Sequence, residues 1–363
     1  MKKIITILGT RPEITKLSPL LPLLDKEFEH IIIHTGQHYS FNMDKIFFHE
    51  LGIREPDYRL DIGSGTHAEQ TGKMMIEIEK ILLKENPNAV LVFADPNTPL
   101  AGALAASKLN IYLVHLEAGC RSFNKKMPEE INRILIDHCS DLLLAPDKKA
   151  YNNLLKEGLP KERIKIVGST AIEASLRNRE LARNSNILKE LNLQSGKYIL
   201  CTIHRAENTD DLNILRNILC SLNEIAKSIQ IVFPMHPRTK KAILNDNSPI
   251  NKKIKIIEPQ GYLNFLKLLD NSLFVMSDSG GIQEEAAALN VPCLILRNET
   301  EWTYLTDAKK NMLIGTEPRK IIETVKYLLS DRKQIDAMKK VNLKLDKEVS
   351  RHILCELKNE LKQ

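Results

Sequence analysis

Short apolar runs alternate with amphipathic segments along the whole chain, the pattern produced by parallel strands joined by crossover helices. The first run covers residues 4–8 and stops at Gly9; Thr10 can then cap and Pro12 suits a first helical position, which predicts a helix continuing through Leu24. Residues 30–34 predict a second strand, with Thr35-Gly-Gln-His38 leaving its carboxyl end before a helical pattern over 43–51. Strands follow at 89–93 and 111–116, the first ending at Ala94-Asp95-Pro96 before a helix over 98–109, the second ending at Glu117. A helix over 128–139, a strand at 141–145, a helix over 148–156 and a strand at 164–167 complete this half. Gly168-Ser-Thr170 then caps a polar helix.

The second half repeats the theme. Strands are predicted at 198–203, 229–233, 254–257, 273–276 and 293–296, and helices at 210–226, after His236-Pro-Arg238, and over 263–269. The strand at 273–276 is cut off by Ser277-Asp-Ser-Gly-Gly-Ile-Gln-Glu-Glu285, which opens a helix ending near Leu289. Helical patterns fill 319–329, 333–343 and 349–361, and Asn184-Ser-Asn186 has the composition of a surface linker. The expected fold class is α/β, with two Rossmann-like doubly wound domains facing a cleft, over residues 1–175 and 176–345, and a last helix within 346–363. In such sheets ligands bind at the carboxyl ends of the strands.

With 363 residues and 43% apolar content, two domains can each bury a core. The net charge of +6 comes from 52 basic and 46 acidic residues spread along the chain, which fits a solvated surface and predicts no nucleic-acid partner. Aromatic content of 5% with a single Trp leaves no stacking platform for single strands. Six scattered cysteines without a CxxC pair read as small buried hydrophobes in a reducing compartment. The first apolar run is too short for a signal peptide, and no stretch approaches the roughly 18 apolar residues of a membrane span, so a cytoplasmic location and no membrane partner are expected.

Polar groups gather at the strand ends: Arg11, Asp95, Glu117, His204 and Ser279 each lie just after a predicted strand. Singly, each would serve as a cap, a turn former or a satisfied buried group; together they point to a site. Glu129 and Glu130 follow Pro128 in a first helical turn, where they compensate the dipole. The chemical alternative is that the loop of about a dozen residues brings Glu117 beside Glu129, with Asp95 as a third acid, because neighbouring carboxylates split their pKa values as proton removal and return demand. His204 beside Arg205 suits phosphate oxygens, and His236 in Pro-Met-His-Pro-Arg238 does so less well because two prolines favour a turn. The Gly280-Gly281 pair admits a close ligand, and the helix start after it offers N–H groups to a phosphate. Glu284 and Glu285 are read as first-turn residues that either satisfy the dipole or face sugar hydroxyls. No metal spacing such as HExxH occurs, and the Gly9 and Gly280 loops match neither the P-loop nor the dinucleotide pattern, so no metal is expected.

Gly9-Thr-Arg-Pro-Glu13 with Lys16, Thr35-Gly-Gln-His38, His115-Leu-Glu-Ala-Gly119, Pro128-Glu-Glu-Ile-Asn-Arg133, His204-Arg-Ala-Glu-Asn208, His236-Pro-Arg-Thr239 and the Ser277 to Glu285 loop resemble, in order, the non-hydrolysing UDP-N-acetylglucosamine 2-epimerases. The resemblance implies the glycosyltransferase-B arrangement, a last helix returning to the first domain, a homodimer, a UDP-sugar substrate and no cofactor. It implies loss of the C2 proton, elimination of UDP from C1, rotation of a 2-acetamidoglucal, reprotonation on the other face and return of UDP. Asp95, Glu117 and Glu129 match the carboxylates of that proton traffic and His204 the histidine near the diphosphate. Arg11, Lys16, Ser279, Gly280 and Gly281 match phosphate or UDP contacts, with Arg133 also among the substrate-binding positions. Glu285 matches the ribose contact, and Gln260 with Phe265 the uracil pocket.

The chain departs from the family pattern in three places. Ala94-Asp95-Pro96 replaces Gly-Asp-Thr, and the proline removes an N–H and holds Asp95 extended. Trp302 stands where Arg is frequent, and Thr300-Glu-Trp302 with Arg121-Ser-Phe-Asn124 and His204-Arg-Ala-Glu-Asn-Thr-Asp210 is similar to the branch acting on UDP-2,3-diacetamido-glucuronic acid. Gln37 matches a regulatory substrate contact whose neighbours differ. The implied activity is epimerisation of UDP-GlcNAc to UDP-ManNAc. A 2-epimerase of the diacetamido-glucuronate branch, a hydrolysing 2-epimerase, a glycosyltransferase of the same architecture and a non-catalytic UDP-sugar binder stand as alternatives.

Overall fold

Runs of Ile, Val and Leu that no polar residue interrupts can only be strands covered on both faces, and they form two parallel sheets. The structure is a computed structural model describing residues 1–37, 47–246, 249–343 and 345–362, so His38 and the start of the helical pattern over 43–51 lie outside the described residues. The chain divides into two compact units, residues 1–174 with 346–363, and residues 175–345.

The first unit holds seven strands: β1 (Lys3–Leu8), β2 (Glu29–His34), β3 (Tyr58–Arg59), β4 (Ala89–Phe93), β5 (Tyr112–Leu116), β6 (Leu142–Ala145) and β7 (Ile164–Ile166). Their order in the sheet is β3-β2-β1-β4-β5-β6-β7, and every pairing is parallel. The second unit holds β8 (Tyr198–Thr202), β9 (Gln230–Pro234), β10 (Ile254–Ile257), β11 (Val275–Ser277), β12 (Cys293–Ile295) and β13 (Asn311–Leu313), ordered β10-β9-β8-β11-β12-β13 and also parallel. Both sheets are α/β and doubly wound, as the alternation of apolar runs and helices predicts.

Two differences from the predicted elements bear on the site. The helix expected to run from Thr10 through Leu24 is two helices, Arg11–Leu17 and Leu21–Glu27. Pro19 and Pro22 supply no N–H and clash with the preceding turn, which outweighs the apolar period. The helix His67–Glu85 is absent from the predicted set, although Thr66 and Glu69 form a capping box and the buried positions Gln70, Met74, Ile78, Ile81 and Leu82 have helical spacing. The last helix, Val349–Leu361, returns to the first unit: it packs on Leu21–Glu27, and Ser350 donates from its N–H (2.8 Å) and hydroxyl (2.6 Å) to Glu173. Among the described residues no helix is long and apolar enough to cross a membrane.

The helix Asn97–Lys108 lies close on the first sheet because its inner face is made of small residues. A Cβ on Gly102 would stand 2.9 Å from Ile7 Cδ1 and 3.1 Å from Val92 Cγ1, whereas one on Gly72, in the helix His67–Glu85, would meet nothing within 4 Å. Gly102→Leu is expected to lower the unfolding free energy by about 1–3 kcal/mol through overpacking. Gly72→Ala is expected to raise it by about 0.5–1 kcal/mol. Urea denaturation of both variants measures this, and equal effects would refute the close approach of that helix.

Candidate active site

Strand order reverses between β1 and β4 in the first sheet and between β8 and β11 in the second, and at such switch points the loops part to leave a crevice. Arg11 follows β1, Asp95 follows β4 and Glu117 follows the adjacent β5, so the first unit assembles its predicted acids at its switch point. Ala94 and Glu117 both take left-handed backbone, with φ of 59° and 68°. Each costs on the order of 1 kcal/mol for a residue with a Cβ, so the surrounding bonds must hold it.

Lys16 donates to both oxygens of Glu117 at 2.9 and 3.2 Å, and its ammonium stands 5.4 Å from the centre of the Phe93 ring. The Arg11 guanidinium stacks on Phe47 at 4.9 Å. Arg133 donates through Nε to Asp95 at 2.7 Å and through Nη1 to Glu130. Glu130 is buried, and burial works to raise its carboxyl. The N–H groups of Ser122 and Phe123, donating at 3.0 and 2.8 Å, and the charge of Arg133 outweigh that and hold it below the usual range. Glu130 is therefore an anchor for the loop after β5, while its neighbour Glu129 faces open space.

That space is a cavity of about 420 Å³, a size that suits a small ligand, with Asp95 and Glu129 both in its wall. Glu117 is not among the lining residues, so Asp95 and Glu129 are gathered together and Glu117 is engaged by Lys16 instead. Polar cross-links stiffen the wall. Gln70 donates to the carbonyls of Gln37 (3.0 Å) and Gly63 (2.8 Å), Asn97 donates to Gln70 (3.0 Å), and Asn132 donates to the carbonyl of Asp95 (2.9 Å). His67, Gln70, Asn97 and Asn132 were not among the predicted site residues. The Thr66-x-x-Glu69 capping signature was the signal that leads to the first two.

In the second unit, His204 follows β8 and its Nδ1 lies 3.1 Å from Asp278. Asp278 is fully buried and also accepts the N–H groups of His204 and Arg205, each at 3.0 Å, and Asn208 Nδ2 at 3.1 Å. Burial raises this carboxyl, but the His204 bond and charge together with those N–H donors hold it low. The His236 ring lies 5.8 Å from that of His204, and burial followed by the His204 charge lowers its affinity for a proton.

The helix after β11 is Gly280–Ala288, with Ser279 at its N-cap and no side-chain capping bond. Its first turn contains no acidic residue, which corrects the expectation that Glu284 and Glu285 occupy that turn: the glycine pair itself begins the helix, moving both acids one turn on. The dipole account of them therefore lapses, and the N–H groups at Gly280 and Gly281 stand at the positive end of the helix. A Cβ on Gly280 would come 2.2 Å from Glu301 Oε1, so a larger residue there would displace the Glu301 carboxylate. Gln260 donates to the carbonyl of Glu258 at 2.8 Å, and Phe265 is half-buried on the helix Tyr262–Asp270. From that same helix the buried Tyr262 hydroxyl is pushed well up, first by burial and then by the charge of Glu285.

The family model described as UDP-N-acetylglucosamine 2-epimerase matches residues 24–358. A UDP-N-acetylglucosamine 2-epimerase of Methanococcus maripaludis is 52% identical over 344 residues, covering 92% of this chain and 93% of that protein. A UDP-2,3-diacetamido-2,3-dideoxy-D-glucuronate 2-epimerase of Pseudomonas aeruginosa is 44% identical over 339 residues, 92% of this chain and 94% of its own. The crystal structure of Methanocaldococcus jannaschii UDP-GlcNAc 2-epimerase in complex with UDP-GlcNAc and UDP superposes with a TM-score of 0.89 at 48% identity, covering 99% of this chain and 100% of that one.

Behind the loop after β1, Glu13 is buried and accepts the N–H groups of Gly9 (3.1 Å) and Thr10 (2.7 Å). Burial pushes its carboxyl up to about 7 from an ordinary 4.5, and the bonds from Thr10 and Gly9 only partly offset this. The unfolded chain loses this proton near pH 4.5 and the folded one near 7. The group's stabilisation is therefore complete at acid pH and is lost as pH rises through that window. Glu13→Gln keeps an acceptor oxygen and cannot ionise. The drop in unfolding free energy from about pH 5 to about pH 8 is expected to shrink by on the order of 2–3 kcal/mol. Urea titrations at the two values measure it, and an unchanged drop would refute the neutral, buried form.

Proposed function

Because the chain belongs to the UDP-N-acetylglucosamine 2-epimerase family, we propose that it inverts C2 of a UDP-N-acetylhexosamine, converting UDP-GlcNAc to UDP-ManNAc. An epimerase is an isomerase, and this chemistry leaves the composition of the substrate unchanged. The observation that carries the proposal is the pair of carboxylates, Asp95 and Glu129, in the wall of one cavity at a switch point, with Glu117 held by Lys16 on the next strand.

Inversion needs a base on one face of the sugar and an acid on the other. In the first half-reaction the C2–H bond breaks toward a carboxylate, its electron pair forms the C1=C2 double bond, and the C1–O bond breaks with its own electron pair leaving on UDP. After the 2-acetamidoglucal turns over, a carboxyl returns a proton to C2 from the other side and UDP adds back to C1. Asp95, Glu117 and Glu129 carry the protons. Arg133 orients Asp95, and the Lys16 ammonium orients Glu117.

UDP must stay bound while it is a free leaving group. In the second unit His204, braced by Asp278, and the N–H groups at Ser279, Gly280 and Gly281 suit its phosphates, and in the first unit Arg11, Lys16 and Arg133 are the cations assigned to substrate contact. Glu285 takes the ribose, and Gln260 with Phe265 the uracil. The alternative sugar, a 2,3-diacetamido-glucuronate, is favoured by Thr300-Glu-Trp302 and by the 44% identity to the Pseudomonas aeruginosa enzyme. Exposed Ile131 and Leu135, one turn apart on the helix that carries Glu129, support a homodimer through that face.

In deuterated water, with UDP-GlcNAc and no acceptor, the enzyme is expected to wash deuterium into C2 and to keep UDP on the sugar, as proton NMR of C1 and C2 will report. Released free sugar would assign a hydrolysing enzyme, UDP release only with an acceptor a glycosyltransferase, and tight binding without exchange a binder. A panel including the diacetamido-glucuronate identifies the sugar by the faster exchange. Glu117→Gln and Glu129→Gln are each expected to cut turnover by about 100-fold or more, with UDP affinity kept within about threefold in calorimetry. Near-normal rates in both would remove the carboxylate assignment.

A further inference from the structure

One deeply buried charged cluster in the first unit contains none of the groups assigned to the reaction. His115, the fourth residue of β5, is fully buried, and both of its ring nitrogens are engaged. Nε2 is 2.9 Å from the carbonyl oxygen of Ala94, and Nδ1 is 2.6 Å from Asp137 Oδ1. A carbonyl oxygen only accepts, so Nε2 must carry a hydrogen. Asp137 is itself fully buried on the helix Pro128–Cys139, and its Oδ2 accepts the N–H of Gly119 at 3.1 Å and Nη2 of Arg121 at 2.7 Å. Burial raises the Asp137 carboxyl, while the His115 contact and, whatever the charge of His115, the Arg121 guanidinium on Oδ2 bring it below the usual range. An ionised carboxylate also only accepts, so Nδ1 must carry a hydrogen as well.

We propose that His115 is a positioning residue for the epimerisation, held as a buried imidazolium, which clamps the strand-end backbones that carry Asp95 and Glu117. This rests on the epimerase reading above. The carbonyl that Nε2 grips belongs to the peptide whose nitrogen is that of Asp95. Asn132 holds the next carbonyl, so both peptide planes flanking Asp95 are fixed. On the neighbouring strand, Ala94 donates its N–H to the carbonyl of Leu116, which shares a peptide with the nitrogen of Glu117. Asp137 grips the N–H of Gly119 two residues further on. Ala94 and Glu117 are the left-handed non-glycine residues at these two strand ends, and the clamp supplies the bonds that offset their strain. Asn132 and Asp137 lie on the helix whose first turn holds Glu129, so the same contacts tie all three carboxylates to one frame. A neutral histidine has a hydrogen on one nitrogen only and would release either Ala94 or Asp137.

The test joins a spectroscopic and a kinetic measurement on the full chain. With 15N-labelled histidine, His115 is expected to show hydrogen on both ring nitrogens at neutral pH, and Asp137→Asn to remove one of them. His115→Phe is expected to lower kcat by about a hundredfold, the cost of a small misplacement of reacting groups, with KM for the UDP-sugar within about threefold. A single ring hydrogen in the unmutated protein, or an unchanged kcat in His115→Phe with folding verified by circular dichroism, overturns the proposal. Should His115→Phe not fold, the ring hydrogens of the unmutated protein and of Asp137→Asn decide it. If the unmutated enzyme exchanges no deuterium at C2, the epimerase reading falls by itself, and the same spectrum still decides the charge of His115.

Discussion

Parallel strands bring their carboxyl ends to one edge, and this chain loads both edges with acids that water reaches poorly. Every such group must find a positive partner or a set of N–H donors, or lose its charge. Asp95 has Arg133, Glu117 has Lys16, Asp137 has Arg121 and His115, and Asp278 has His204 with two backbone N–H groups. Glu13 shows that such donors do not always suffice: with the N–H groups of Gly9 and Thr10 and the Thr10 side chain around it, burial still holds its proton to about pH 7.

The same pairing decides the geometry of the loops. Left-handed backbone at Ala94 and Glu117 turns the chain sharply at the ends of adjacent strands, and glycine follows only at Gly119, where a Cβ would collide with the carbonyl of Ala150 at 2.3 Å. Residues with side chains accept that strain where the surrounding bonds over-determine the fold. Glu130 shows how: one buried carboxylate collects Ser122, Phe123 and Arg133, and so joins the loop after β5 to the helix that follows it.

Most of the strands were legible in the sequence, because doubly covered strands appear as unbroken apolar runs such as Ala89–Phe93. What escaped was governed by neighbours that a linear pattern does not contain. Glu129 and Glu130 look equivalent in sequence, but a helix rotates by about 100° per residue, so one meets a cavity and the other Arg133. Two prolines outweighed the apolar period between Ser18 and Pro22. The strand Tyr58–Arg59 is too short for any periodicity, and the roles of His67 and Gln70 depend on Asn97, some thirty residues away. Asp278 was visible only as part of a motif, whereas its burial makes it the support on which His204 rests.

The return of the helix Val349–Leu361 to the first unit has a consequence for how the protein is made. The first unit is built from residues 1–174 and 346–363, so it encloses the second unit in sequence. Domains emerging from a ribosome usually fold in order from the N-terminus. Here the inserted unit, residues 175–345, has all of its strands before the first unit receives its closing helix, with Val349, Ile353 and Leu357 to bury. The unit that contains Asp95, Glu117 and Glu129 is therefore the last to be completed during synthesis, and its apolar seat around Leu21 and Leu24 stays uncovered until the inserted unit has been translated in full.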